Sequence, residues 1–159
     1  MASLCCCWPG RKRRRNSDDD EDSPRSRLLM AAQSGDEDAV RLLCPTAEVA
    51  NTADGSGITP LHAAVIGSQL GIVRLLLDLG ADPAQRSGQG RTALHNACSR
   101  STAPVVELLL EHGAEMDELS GDGGGTPLDF ACDWKRRDIE QLLRGRGARR
   151  NGDTPKHAR

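Results

Sequence analysis

Large aromatic rings are nearly absent from this chain. They make up 2% of its 159 residues, with two Trp, one Phe and no Tyr. A core closed around big rings is therefore excluded, and any core must be built from Leu, Val, Ile and Ala. That palette suits stacked helix pairs in which each unit touches only its neighbours. No apolar run approaches the ~20 residues of a membrane-spanning helix. No secretory leader is expected either, because the short N-terminal apolar run precedes its charges instead of following them. The six cysteines contain no Cys-x-x-Cys pair, and no His is interleaved with them at metal spacing. Neither a disulfide framework nor a metal site is expected, and a reducing compartment follows.

Charge of one sign is scarce only locally. The net charge is −2, but residues 25–134 carry 7 basic and 15 acidic residues, a net of −8, and residues 135–159 carry 9 basic and 3 acidic ones, a net of +6. A nucleic-acid reader would show a basic stripe along the fold itself, so no nucleic-acid partner is expected.

What is present is a repeat. Thr59-Pro60-Leu61-His62-Ala63-Ala64 returns as Thr92-Ala93-Leu94-His95-Asn96-Ala97 and as Thr126-Pro127-Leu128-Asp129-Phe130-Ala131, with Thr-to-Thr spacings of 33 and 34. A degenerate copy begins at Ser26. A fixed period of this size marks a stacked array. Thr59, Thr92, Thr126 and Ser26 read as N-caps, and Pro60 fits the first helical position, where an amide has no partner to lose. Ile72–Leu77 and Val105–Leu110 read as second, more apolar helices. Gly80 and Gly113 sit where a left-handed glycine ends a helix.

These motifs resemble the ankyrin repeat family: Thr-Pro-Leu-His-x-Ala, a three-leucine second helix and Gly-Ala-Asp, over residues 26–148. The resemblance implies an all-α solenoid of helix-turn-helix units joined by loop fingers. Its expected organisation is an array at 25–148, divided at about 26–58 (partial), 59–91, 92–125 and 126–148 (capping). Disordered tails are expected at 1–24 and 149–159. In such a family the motif His braces neighbouring repeats. That role is expected for His62 and His95, and Asp129 in the third copy argues against a His-based catalytic site. The fourth finger, Gly121–Gly125, is one residue longer than its counterparts. It lacks the Lys-Ser/Thr of a phosphate loop. Cys44, Cys98 and Cys132 occupy small or apolar slots.

The N-terminal segment leaves three readings open. Cys5, Cys6 and Cys7 beside the basic run Arg11–Arg15 resemble the acylated, polybasic anchors of peripheral membrane proteins, which need two signals to hold. Ala2 stands where myristoylation requires glycine. Lys12–Arg15 equally reads as a nuclear import signal, and the third reading is a solvated tail. Ser17, ahead of Asp18–Glu21, resembles an acidophilic-kinase site whose phosphate would weaken contact with an anionic membrane.

No nucleophile, carboxylate pair or ligand cluster emerges, so neither enzyme activity, nor a cofactor, nor a small-molecule substrate is expected. The family resemblance implies a protein-binding module whose contacts come from loop tips and first-helix ends. Carried over, these are Ile58, Ile66, Gln89, Arg91, Ser99, Arg100, Asp122, Asp133 and Trp134. Ile58, Ile66 and Trp134 are apolar where the scaffold does not require it, and Trp and Arg are frequent interface anchors. The expected role is an intracellular adaptor or scaffold, cytoplasmic and open to membrane tethering. The alternatives are an inhibitory regulator of a kinase, transcription factor or ubiquitin-ligase component, and a nuclear location.

Overall fold

The computed structural model describes residues 23–121 and 124–152. Within them the chain is helical, with no strand. Four helix pairs follow one another: α1 (Pro24–Ser34) with α2 (Glu37–Leu43), then, after the short α3 (Ala47–Ala50), α4 (Pro60–Ile66) with α5 (Leu70–Asp78), α6 (Ala93–Arg100) with α7 (Ala103–Glu111), and α8 (Pro127–Asp133) with α9 (Arg137–Gly145). The inner helices stack α1 on α4 on α6 on α8. The outer helices stack α2 on α5 on α7 on α9, more loosely. The reason lies in the side chains. Ala31, Ala32, Ala63, Ala64, Ala97 and Ala131 are buried along the inner row, and small residues let helix axes approach. Between the rows lies one continuous core of Leu28, Val40, Leu61, Ile72, Leu76, Leu94, Val106, Leu109, Leu128, Ile139 and Leu143. No large ring is fully buried in it.

The helix ends follow the local chemistry with one correction. The first helix is capped not by Ser26 but by Ser23, whose hydroxyl accepts from the Ser26 amide at 3.1 Å, with Pro24 opening the helix. The Ser-Pro pair satisfies the cap and the first-turn preference together, which Ser26 followed by Arg27 cannot do. The first repeat is also a complete helix pair rather than a partial one. Asp36 caps α2, accepting from the Ala39 amide at 3.0 Å. At the other end, residues 149–152 are held rather than loose. Asp117 Oδ1 accepts from the Arg149 amide at 2.8 Å, and Thr126 Oγ1 donates to the Arg149 carbonyl at 2.9 Å. Gly80, Gly113 and Gly147 all adopt positive φ after their helices, so the fourth repeat runs through its closing turn.

Two adjacent positions in the turn between α4 and α5 show how tight the stacking is. A Cβ on Gly67 would lie 2.2 Å from the Gln33 carbonyl oxygen of the first repeat. Ser68 adopts φ 55°, as does Lys135 at the equivalent turn, where the first repeat carries Gly35 at φ 90°. Opposite effects are expected at the two neighbours. Gly67→Ala should destabilise by about 1–3 kcal/mol through overpacking against backbone. Ser68→Gly should stabilise by about 0.5–1 kcal/mol, because relief of left-handed strain exceeds the entropy that glycine loses. Urea denaturation midpoints of the two variants check both signs.

Candidate functional site

The motif histidines set the geometry on which the open surface is built. In α4 the Nδ1 of His62 accepts from the Thr59 amide at 3.4 Å and from the Thr59 hydroxyl at 2.8 Å. The Thr59 hydroxyl in turn accepts from the His62 amide at 3.4 Å. With Nδ1 used as acceptor, the proton sits on Nε2, which donates to the Arg91 carbonyl of the next repeat at 3.1 Å. One neutral ring thus caps its own helix and holds the neighbouring finger. His95 repeats the Thr92 pair at 3.2 and 2.8 Å. Its Nε2 faces the Glu118 and Gly125 carbonyls, close enough for them to oppose the effect of burial on its pKa, but bonds neither with ordinary geometry. The finger it faces is the longer one, and its ring instead meets Phe130 edge-on at 5.3 Å.

The fingers are joined tip to tip by backbone bonds: the Gly88 amide donates to the Ser56 carbonyl at 2.7 Å, and the Gly121 amide to the Gly90 carbonyl at 2.9 Å. Asp54 Oδ1 accepts from the amides of Ser56 and Ile58, both at 2.8 Å, which stiffens the second finger. Arg86 ties the third finger to the fourth by donating to the Leu119 carbonyl at 2.8 Å and pairing with Glu118. A shallow hollow of about 450 Å³ lies over Arg86–Gly90 and Gly121.

Against this frame the expected contact residues divide. Gln89, Arg100, Asp133 and Trp134 are exposed, and Ile58 and Ile66 are half-exposed. Register aligns Gly67, Arg100 and Trp134 at the ends of α4, α6 and α8, and Trp134 is 58% exposed. A core role for that ring is thereby excluded. Ser99 is turned inward, and its hydroxyl donates to the Asn96 carbonyl at 3.0 Å; it offers a partner little. Arg91 is partly committed as well, with its guanidinium 5.0 Å from the centre of the Phe130 ring. Asp122, Ser17 and Cys5, Cys6 and Cys7 lie outside the described residues.

The last repeat substitutes an acceptor for the imidazole. Asp129 Oδ2 accepts from the Thr126 amide at 2.9 Å and the Asn151 amide at 2.8 Å and shares the single Thr126 hydroxyl proton, at 3.0 Å, with the Arg149 carbonyl, and Oδ1 pairs with Arg150 at 2.9 Å. Burial alone would raise its pKa, but the Asn151, Arg150 and Thr126 bonds outweigh that and hold it below the ordinary carboxylate value. Sequence reasoning missed this clasp. Its signal was the His-to-Asp change itself, since a carboxylate needs donors where a protonated Nε2 needs a carbonyl.

Chemically reactive groups are muted. Burial pushes the Cys98 thiol up to about 12 and raises Cys44 and Cys132, which removes the thiolate a nucleophile needs. Among the described residues no group of three or more His, Cys, Asp and Glu side chains gathers as a metal site. No helix among them is long and apolar enough to cross a membrane.

Burial lowers the pKa of both His62 and His95, against weaker opposing pulls from nearby carbonyls and acids. The unfolded chain takes up protons near pH 6.5, the ordinary imidazole value, while the folded chain resists until lower pH. Their contribution to stability is therefore complete above pH ~6.5 and is lost as pH falls below it. The thermal midpoint should drop between pH 7 and pH 5. The drop should be shallower in the double variant His62→Asn, His95→Asn, as read by melting curves across that range.

Compared with models of known families, the chain matches the one described as ankyrin repeats (3 copies), over residues 10–87 and 79–153. No curated protein matches it.

Proposed function

We propose that this chain, which belongs to the ankyrin repeat family, is a non-enzymatic intracellular adaptor or scaffold that grips a protein partner along its finger tips and inner-helix ends. Ankyrin repeats are protein-interaction modules and typically non-catalytic, so a protein partner is the premise. The finer reading concerns where and how. The observation that carries it is Trp134. A tryptophan 58% exposed on an otherwise ring-poor protein is a ready anchor, because Trp and Arg dominate interface energetics. Arg100 lies one repeat away in the same register, and Ile58 and Ile66 are half-exposed apolar residues of the second repeat.

The net negative charge of residues 25–134 and the net positive charge of residues 135–159 favour a partner of mixed charge. A membrane tether at Cys5, Cys6 and Cys7, supported by the adjoining basic run, would concentrate that adaptor at a surface. Phosphorylation of Ser17 would loosen it. The location is then cytoplasmic and membrane-associated.

Trp134→Ala should cost ~2 kcal/mol or more in partner binding. Stability should change by no more than about 0.5 kcal/mol, as for an exposed position. Partner retention in pull-downs from cells, measured beside the melting curve, separates the two. Lost stability with partners retained overturns the assignment of the face. For the tether, replacing Cys5, Cys6 and Cys7 by Ser should abolish palmitate labelling and move the protein out of the membrane fraction. An unlabelled wild-type chain overturns it.

A further inference from the structure

The two ends of the array are built differently. In the last repeat, Glu140 stands where Val73 and Val106 are buried in the interior repeats, and its polar side chain is half-exposed. That is the behaviour of a cap meeting water. The first repeat does the opposite. Met30 on α1 and Leu42 on α2 are 67% and 81% exposed, the two most exposed large hydrophobic residues among those described. Their counterparts by register are less exposed: in the series of Met30, Ala63 is buried and Asn96 half-exposed, and in that of Leu42, Leu75 is half-exposed and Leu108 buried, with α1 packed on α4, α2 on α5 and α5 on α7. The outer side of α1 and α2 therefore has the make-up of an interior surface. Ala39 and Leu43, at the register of the buried Ile72 and Leu76, are only partly buried here.

We propose that this side is covered by the chain's own Leu4–Trp8. The chain enters the array at Ser23, which caps α1 in the very repeat that is bare. Upstream, Leu4-Cys5-Cys6-Cys7-Trp8 is the apolar run, and the segment that joins it to Ser23 is mostly charged. That connection, residues 9–22, has a root-mean-square reach of roughly 20 Å. α1 is about 16 Å long at 1.5 Å per residue, so the run can reach Met30 and Leu42 from the cap. A tether of this length holds the run at an effective concentration on the order of mM. No second molecule competes on equal terms at ordinary protein concentrations. The inference is independent of the partner-binding reading, which concerns the finger tips and inner-helix ends; it describes the chain with Cys5, Cys6 and Cys7 unacylated, because the membrane tether would draw on the same segment.

The two tryptophans make the test direct. In the full chain, produced unacylated and kept reduced, Trp134→Phe leaves Trp8 as the one indole. With Leu4–Trp8 docked, Trp8 emission is shifted to shorter wavelength and shielded from acrylamide. Adding Met30→Asp and Leu42→Asp, both at exposed positions, should move the emission to longer wavelength and raise the quenching constant, while the far-ultraviolet dichroism stays helical. These readings should not vary with protein concentration. Trp8 that is equally quenched with and without the two Asp substitutions overturns the proposal. Shielding that grows with protein concentration also overturns it and assigns the face to a second copy of the chain. Partner retention through Trp134 is read separately, so failure of one reading leaves the other standing.

Discussion

The array depends on one kind of interaction, a neutral imidazole buried at the start of an inner helix. His62 is 1% exposed, and a buried polar group is tolerated only when its bonds are made. Nδ1 takes the Thr59 donors and Nε2 gives its proton to the Arg91 carbonyl. The helix start, the ring and the next finger are thereby locked into one unit. In the third repeat the His95 ring faces the Glu118 and Gly125 carbonyls without a bond of ordinary geometry and packs edge-to-face with Phe130. Where the fourth has no imidazole at all, Asp129 recruits donors from the chain that follows. The same position is solved three ways because the neighbour it faces differs three ways.

From that lock follows the surface. Inner helices lined with alanine approach closely, so their ends and the fingers above them fall into register. A residue exposed in one repeat therefore has counterparts at fixed positions in the next. Gly67, Arg100 and Trp134 form such a series. Its first member is small for a scaffold reason, the Gln33 carbonyl that would meet a Cβ. Only the later members are free to be large.

Much of this was legible in the residues. The period, the Thr caps at Thr59 and Thr126, the second helices and the closing glycines rest on local rules, and they appear where those rules put them. The errors are also local. Ser26 looked like the cap by register, but Ser23-Pro24 is the better capping pair three residues earlier, and a worn repeat does not keep strict register. Residues 149–152 looked like loose basic tail, because nothing in Arg149-Arg150-Asn151 announces that Asp117 and Asp129 await them. Ser99 was assigned to the contact face from its position. It turned inward because a small hydroxyl can bond the Asn96 carbonyl of its own helix.

By itself the sequence determined the repeat, the helix pairs and their family, since these follow from spacing, capping and apolar periodicity within a few turns of chain. It also determined that the core would be built mainly from aliphatic side chains. Only the tertiary structure decided which polar groups met across repeats, which side of the first pair the other described residues leave uncovered, and whether Trp134 lay inside or out. Those outcomes depend on contacts between residues about thirty positions apart. Their distances are set by how closely the helices stack, and no local pattern encodes that.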